Sequence, residues 1–144
     1  MKTAIKSLIP ALLAMLFIYA AVSKLLTFAD FRQQLYNQNL PHWLSSLLLY
    51  LLPPAEVVVA CLLCFRRYVI SGLWLSLLLL IAFTGYISLV LLHYWDRVPC
   101  SCGGILSHMS WASHLAFNWA FLILNILAVF LQLSDSKQHV QLTD

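Results

Sequence analysis

YVISGLWLSLLLLIAFTGYISLVLLH, residues 68–93, contains no Asp, Glu, Lys or Arg, and this stretch decides the fold class. An α-helix rises about 1.5 Å per residue, so a run of this length exceeds the roughly 30 Å hydrocarbon core of a bilayer. Its apolar residues are continuous and do not alternate with polar ones, which favours a membrane-spanning helix over a strand of a membrane barrel. The run therefore predicts a transmembrane helix.

Three further apolar runs have the same length and character. They are SLIPALLAMLFIYAAVSKLL (7–26), WLSSLLLYLLPPAEVVVACLLCF (43–65) and WASHLAFNWAFLILNILAVFLQL (111–133). Together with residues 68–93, they predict an all-α integral membrane protein, a bundle of four transmembrane helices. We expect a single transmembrane domain over residues 1–133 and a polar cytoplasmic tail over residues 134–144.

The composition supports the same class. The chain has 144 residues, of which 62% are hydrophobic and 9% charged, whereas a soluble domain carries about 25% charged residues. So short a chain cannot bury that much apolar surface in one water-facing core, and we expect the lipid bilayer to cover it. The formal charge is only +3 and the basic residues are scattered, which gives nucleic-acid binding little support.

The distribution of basic residues predicts the orientation, because Lys and Arg near helix ends favour the cytoplasm. With the N-terminus inside, the inner segments hold the larger share of these residues. The inner set is Lys2, Lys6, Arg66, Arg67 and Lys137, and the outer set is Lys24, Arg32 and Arg97. Three tryptophans fall at the same predicted outer boundary, as in an aromatic belt: Trp43, Trp95 and Trp111. We expect both termini in the cytoplasm and the segment before the fourth helix in the periplasm, which implies a multi-pass protein of a bacterial inner membrane.

The segment VPCSCGGILSHMSW, residues 98–111, carries the most distinctive chemistry, Cys100 and Cys102. Extended chain places residues two apart at about 7 Å, beyond the usual disulfide range, so a bond between these cysteines needs a turn. Pro99 and the Gly103-Gly104 pair permit one. A strained, exposed disulfide is easily attacked, and the periplasm allows disulfides to persist, so the pair favours thiol-disulfide exchange.

Other interpretations of this pair remain open. Cys100, Cys102, His108 and His114 are ligand types for zinc or copper, although their spacing matches no common zinc pattern. The two thiols could also bond to cysteines of a partner protein, or the segment could be only a structural loop. The second pair, Cys61 and Cys64, lies on one side of the second helix. We interpret it first as small buried apolar residues and only second as a redox pair.

Polar residues inside the apolar runs are further candidates. Glu56 is the only acid within such a run, and an intramembrane carboxylate marks a functional site by default; the alternative is a buried Glu that locks helix packing. The preceding Pro53-Pro54 is expected to break the helical hydrogen-bond pattern. In the third run, Gly72 and Ser76 indicate a close-packing or hydrogen-bonding surface.

His114, Asn118 and Asn125 share one face of the fourth helix because they are four and seven residues apart. Hydrogen bonds between helices explain most such polar residues. His114 is the exception, since it follows the cysteines closely and could transfer a proton for a thiol or contact a quinone head group. We therefore take His114 with Cys100 and Cys102 as candidate catalytic residues, and Glu56 and Asn118 as weaker candidates for binding a cofactor; no metal site is assigned.

Three segments resemble the methylamine-utilisation protein MauE family and its DoxX-like relatives. They are AAVSKLLTFADFRQQL (20–35), LLPPAEVVVACLL (51–63) and VPCSCGGILSHMSWASHLAFN (98–118), and the likeness covers about residues 5–133. The resemblance implies a four-helix membrane protein that helps periplasmic thiol-disulfide chemistry with a thioredoxin-like partner. MauE itself is associated with maturation of the disulfide-rich small subunit of methylamine dehydrogenase. The resemblance extends to Cys100, Cys102 and Glu56 as candidate site residues.

Two hypotheses follow. The first is a membrane thiol-disulfide relay through Cys100 and Cys102, with His114 assisting. The second is a non-enzymatic membrane scaffold, or a small-molecule or metal carrier, in which the CxC segment is structural. A quinone cofactor is suggested only by the architecture of vitamin K epoxide reductase and DsbB-type enzymes, four-helix bundles that place a CxxC beside quinone. This chain departs from them, because its outer pair is CxC and its CxxC, Cys61 to Cys64, is predicted at the opposite face.

Overall fold

The computed structural model describes residues 2–38, 40–94 and 110–141, with side chains described over 5–38, 40–94 and 110–134. The helices are α1 (Lys2–Leu26), α2 (Phe28–Tyr36), α3 (His42–Cys64), α4 (Val69–Leu91) and α5 (Trp111–Gln141). No strand occurs within the described residues.

Four of these helices contain stretches that are long and apolar enough to cross a membrane. These stretches are Ile5–Leu26, His42–Cys64, Val69–Leu91 and Trp111–Ser134. The predicted all-α fold with four transmembrane helices is confirmed. The orientation of the termini stays a prediction, and α5 continues to Gln141, into the segment expected to be a polar tail. That segment contains no Gly or Pro that would end a helix.

The four long helices run alternately up and down around one apolar core. Leu13, Phe17, Val59, Leu73 and Leu80 belong to this core and are nearly or fully buried. Helix α1 packs most extensively against α3, and α4 packs against α5. At one end of the bundle, helices α1 and α4 terminate and helices α3 and α5 begin. We call this the cavity end. The opposite end, where the turn over residues 65–68 joins α3 to α4, is the turn end.

The outer surface of the bundle is apolar. Met15, Trp74, Leu78 and Phe130 are each more than half exposed, and they lie on α1, α4 and α5. In water, so many exposed large apolar side chains would be a strong liability. In a membrane they contact lipid, so the bilayer is a partner of this chain.

Helix α2 was not predicted from the sequence. It follows α1 after a bend at Thr27, whose backbone N–H and hydroxyl both donate to the Ser23 carbonyl, at 3.1 and 2.9 Å. Thr27 leaves helical geometry, with φ −114° and ψ 46°. Phe31 and Leu35 of α2 then pack in a small cluster with Leu49 of α3. The bend thus lets α2 run along the first half of α3.

Helix α3 continues through Pro53 and Pro54, as one helix over the predicted span 43–65 requires. Proline has no backbone N–H, so the carbonyls four residues earlier, at Leu49 and Tyr50, lose their usual helical donors. The helix nevertheless extends from His42 to Cys64, and Pro53 is buried. The prolines therefore remove hydrogen bonds without ending the helix, whose fold is maintained by its packing against α1.

Helices α3 and α4 approach each other closely at Gly72. A Cβ atom built on this glycine would lie 2.9 Å from the Leu63 nitrogen and 3.1 Å from the Leu62 carbonyl carbon. Backbone atoms cannot move aside as a flexible side chain can. The predicted close packing at Gly72 is confirmed.

Two well-formed helix ends flank the cysteine-bearing segment at the cavity end. Helix α4 is followed by His93 in the left-handed region, φ 53°, where its N–H donates to the Val90 carbonyl at 3.2 Å. Ser110 caps α5, because its hydroxyl accepts from the Ser113 N–H at 3.1 Å, as N-terminal serines commonly do.

Candidate functional site

A cavity of about 350 Å³ lies inside the bundle and is lined by residues of all five helices. Its wall is mostly apolar and includes four phenylalanines, Phe17, Phe31, Phe83 and Phe117. Trp111, the first residue of α5, also lines the cavity. The cavity therefore lies toward the cavity end of the bundle. A volume of this size is in the range of small-molecule sites, which combine an apolar wall with a few polar groups.

An ion pair crosses the cavity wall between α1 and α3. The Lys24 ammonium donates to Glu56 Oε1 at 2.8 Å, with the Glu56 side chain 1% exposed and that of Lys24 17% exposed. The same ammonium donates to the Ala20 carbonyl at 3.3 Å and lies 5.8 Å from the centre of the Phe31 ring. A buried charge must be paired to be tolerated in an apolar medium, and here each charge supplies the other's partner.

Three buried polar atoms on cavity-lining residues have no hydrogen-bond partner among the described residues. They are Glu56 Oε2, the Tyr19 hydroxyl and Asn118 Nδ2. Buried polar groups are nearly always hydrogen-bonded, and leaving one unpaired costs about 1–3 kcal/mol. Residues that line the cavity therefore carry buried donors and a buried acceptor whose partners the described part of the chain does not supply.

A second polar contact lies in the cavity wall between the end of α2 and α4. The Tyr86 hydroxyl donates to Gln38 Oε1, and both residues line the cavity. The Gln38 amide donates in turn to the Gln34 carbonyl at 3.2 Å. These bonds attach α2 to the cavity wall, although α2 is too short to span the membrane.

The polar face predicted on α5 is present, and it serves two purposes. Asn125 is fully buried and contacts Ser76 of α4. When its amide oxygen faces the Ser76 hydroxyl, that oxygen accepts a hydrogen bond from Ser76 at 2.5 Å, and the amide nitrogen donates one to the Leu73 carbonyl at 3.2 Å. This confirms an interhelical hydrogen bond. His114, half-buried, and Asn118, buried, instead line the cavity.

The structure brings together Glu56, Asn118 and His114, three of the residues predicted for the site, around one cavity. Cys100 and Cys102, the other two, and His108 lie outside the described residues. The catalytic role of the two cysteines therefore stays a prediction, as does the role of His114 beside them.

Cys61 and Cys64 are exposed on the outside of the bundle and free. The expectation that they are small buried packing residues is wrong. Their side of α3 faces away from the core, whereas Val59, Ala60 and Leu63 on the same stretch are buried. Neither thiol lines the cavity.

Lys24 is a site residue that sequence reasoning missed, because it was treated only as a marker of orientation. A signal was present. Lys24 lies within the first apolar run, and a lone intramembrane carboxylate such as Glu56 needs a partner of opposite charge. The pairing of these two residues is itself a reason for α1 to pack against α3.

Comparison with known proteins gives one family match. The family described as "Methylamine utilisation protein MauE" matches residues 2–131. This range includes every residue that lines the cavity and also the Cys100–Cys102 segment. No curated protein and no solved structure matches the chain.

Proposed function

Since the chain belongs to the MauE family, we propose that it assists thiol-disulfide exchange on a partner protein through Cys100 and Cys102. In this proposal it is a multi-pass protein of a bacterial inner membrane, and the partner is a periplasmic thioredoxin-like protein. The bilayer covers its four apolar helices, while the cysteine-bearing segment faces the periplasm.

The observation that carries the proposal is the cavity at the end of the bundle where that segment attaches, which is lined by His114, Glu56 and Asn118. The segment follows α4, which ends at Leu91, and leads into α5, which begins at Trp111. His114 lies in the first turn of α5 and lines the cavity, so it is the titratable cavity residue nearest the cysteines in sequence. A histidine in this position is suited to accept or return a thiol proton.

The exchange proceeds in two balanced steps. A thiolate of the pair attacks the partner's disulfide, whose S–S bond breaks as a mixed disulfide forms and one partner sulfur leaves as thiolate. The second cysteine then attacks the mixed disulfide and releases the other partner sulfur. The pair loses two electrons and the partner's disulfide gains them; the reverse sequence oxidises a partner dithiol.

The test is the redox state of periplasmic thioredoxin-like proteins in cells, read from gel shifts after thiol alkylation. Cys100→Ser and Cys102→Ser are each expected to abolish the exchange while the protein still inserts into the membrane. The matched control is Cys61→Ser/Cys64→Ser, which removes two exposed thiols and should leave the exchange unchanged. A normal partner redox state in the Cys100→Ser/Cys102→Ser double variant would refute the proposal.

The cavity favours one alternative specifically, a carrier or receptor of a small molecule. That role needs no thiol chemistry. It predicts that ligand binding survives the loss of both cysteines, whereas the exchange proposal concerns only what the cysteines do.

A further inference from the structure

The cavity combines a mostly apolar wall with lining residues that carry unpaired, buried polar atoms. Glu56 is 1% exposed and Asn118 is 6% exposed, yet Glu56 Oε2 and Asn118 Nδ2 lack partners within the described ranges. The Tyr19 hydroxyl is likewise buried without a hydrogen-bond partner among the described residues. A ligand that fills the cavity and satisfies these atoms must both donate and accept hydrogen bonds.

The charges of the cavity indicate that such a ligand is uncharged. Lys24 and Glu56 are the only Lys, Arg, Asp or Glu among the described residues that line it, and they neutralise each other at 2.8 Å. A charged head group would add an uncompensated charge to a poorly solvated site, which is costly.

The wall indicates the shape of the ligand. Phe17, Phe31, Phe83 and Phe117 come from four different helices, so an occupant of the cavity is surrounded by aromatic rings. Ring pairs gain about 0.5–1.5 kcal/mol beyond the burial of their area when they stack offset or edge to face. An aromatic head group gains these contacts, whereas a plain acyl chain gains only burial.

From these three features, we propose that the cavity binds an uncharged, lipid-soluble molecule whose head group is a hydroxylated aromatic ring, the class of phenols and quinols. The ring hydroxyl donates to Glu56 Oε2, and a ring oxygen accepts from Asn118 Nδ2 or from the Tyr19 hydroxyl. The apolar part of the molecule lies among the phenylalanines. This binding requires neither Cys100 nor Cys102 and does not depend on the proposed exchange.

The experiment uses the full chain in lipid nanodiscs and photoreactive probes that share one diazirine-bearing alkyl tail. One probe carries a phenol head, one a carboxylic acid head, and one no polar head. After illumination, mass spectrometry of peptides locates the labelled residues. The phenol probe is expected to label cavity-lining residues, and excess unlabelled phenol should compete with it. The two other probes are expected to label the lipid-facing surface.

Three variants of closely matched volume test which groups bind the head. Asn118→Leu and Tyr19→Phe each remove one unpaired donor from the cavity, and cavity labelling by the phenol probe should fall about three- to tenfold, as expected for one hydrogen bond. Thr84→Val is the control, because Thr84 Oγ1 is also buried without a partner in the described structure but does not line the cavity. Its labelling should equal that of the unchanged protein. Gel filtration identifies any variant that fails to fold. If Asn118→Leu fails to fold, Tyr19→Phe alone tests the proposed contacts.

Several results would overturn the inference. Absence of cavity labelling would mean that water satisfies the polar atoms. Equal cavity labelling by the headless probe would mean that acyl chains fill the site, and preference for the carboxylic acid would contradict a neutral ligand. Equal labelling in Tyr19→Phe and Thr84→Val would exclude the assigned contacts. In the Cys100→Ser/Cys102→Ser variant, phenol labelling should persist, which separates this inference from the proposed function.

Discussion

At the scale of single residues, the Lys24–Glu56 pair is an ion pair held inside the bundle. The two atoms are 2.8 Å apart, and Glu56 is almost completely buried. A buried ion pair need not stabilise a fold relative to apolar residues, because desolvating both charges costs several kcal/mol. Its value lies in fixing α1 against α3 in one register, since either charge without the other is unfavourable in an apolar interior.

This argument predicts strong coupling between the two residues. Lys24→Met and Glu56→Gln should each lower the free energy of unfolding by about 3 kcal/mol, because each leaves one buried charge without its counterion. The double variant Lys24→Met/Glu56→Gln should lose much less than the sum. The measurement is an SDS titration in detergent micelles, followed by circular dichroism.

Arg32→Met serves as the control for the loss of a positive charge. Arg32 is on α2 and exposed, so its replacement should change the free energy of unfolding by no more than about 0.5 kcal/mol. Additive losses in the Lys24/Glu56 double variant would show that the charges do not depend on each other.

The residues of the cavity were only partly predictable from the sequence. Glu56 could be identified because an acid inside an apolar run has few structural explanations, and His114 and Asn118 because helical periodicity puts them on one face. The periodicity could not distinguish Asn118, which lines a cavity, from Asn125, which bonds to Ser76. That distinction depends on which neighbouring helix faces each turn of α5. The periodicity of one helix does not reveal how the other helices pack against it.

At the scale of elements, the hairpin of α3 and α4 depends on the absence of a side chain at Gly72. The backbone of α3 fills the space where a Cβ would be. Close approach at small residues is a common way for membrane helices to associate, since lipid provides no hydrophobic force between them. Gly72 is therefore a packing residue, even though glycine lowers helix propensity.

Replacement of this glycine should destabilise the hairpin. Gly72→Ala should lower the free energy of unfolding by about 1–3 kcal/mol, since the new methyl group meets backbone and the helices must separate. Gly85→Ala is a matched control on the same helix, because a Cβ there meets nothing within 4 Å. It should leave stability unchanged or raise it by up to about 1 kcal/mol through helix propensity. Equal effects in a thermal unfolding assay would contradict the packing argument.

The elements themselves were predictable to different degrees. The four spans follow from continuous apolar runs, and their predicted limits agree with α3 and α4 to within a few residues. Helix α2 could not be found in this way, because FADFRQQLY is short and polar overall. Its two buried residues, Phe31 and Leu35, are buried by tertiary packing, including that against Leu49 of α3.

At the scale of the whole molecule, the two ends of the bundle differ in charge and in polarity. The turn end carries Arg66 and Arg67 next to each other in the turn between α3 and α4. The cavity end carries the cavity with its Lys24–Glu56 pair, and the cysteine-bearing segment attaches there. Since basic residues in short loops favour the cytoplasm, the turn end is expected inside and the cavity end outside. The proposed exchange requires this orientation, because cytosolic thiols are kept reduced.

The orientation can be tested at described positions, without using the native cysteines. In a variant whose four cysteines are replaced by Ser, Tyr68→Cys places one thiol at the turn end and Leu92→Cys places one at the cavity end. Tyr68 is 48% exposed and Leu92 is 76% exposed, so both thiols are accessible. In spheroplasts of a bacterial host, a membrane-impermeant maleimide should label Leu92→Cys and not Tyr68→Cys. After lysis both should be labelled, which controls for reactivity.

The reverse labelling pattern would put the cavity end, and with it Cys100 and Cys102, in the reducing cytosol, where periplasmic exchange could not occur. The inference of a lipid-soluble ligand would still stand, because its binding does not depend on which side of the membrane the cavity end faces.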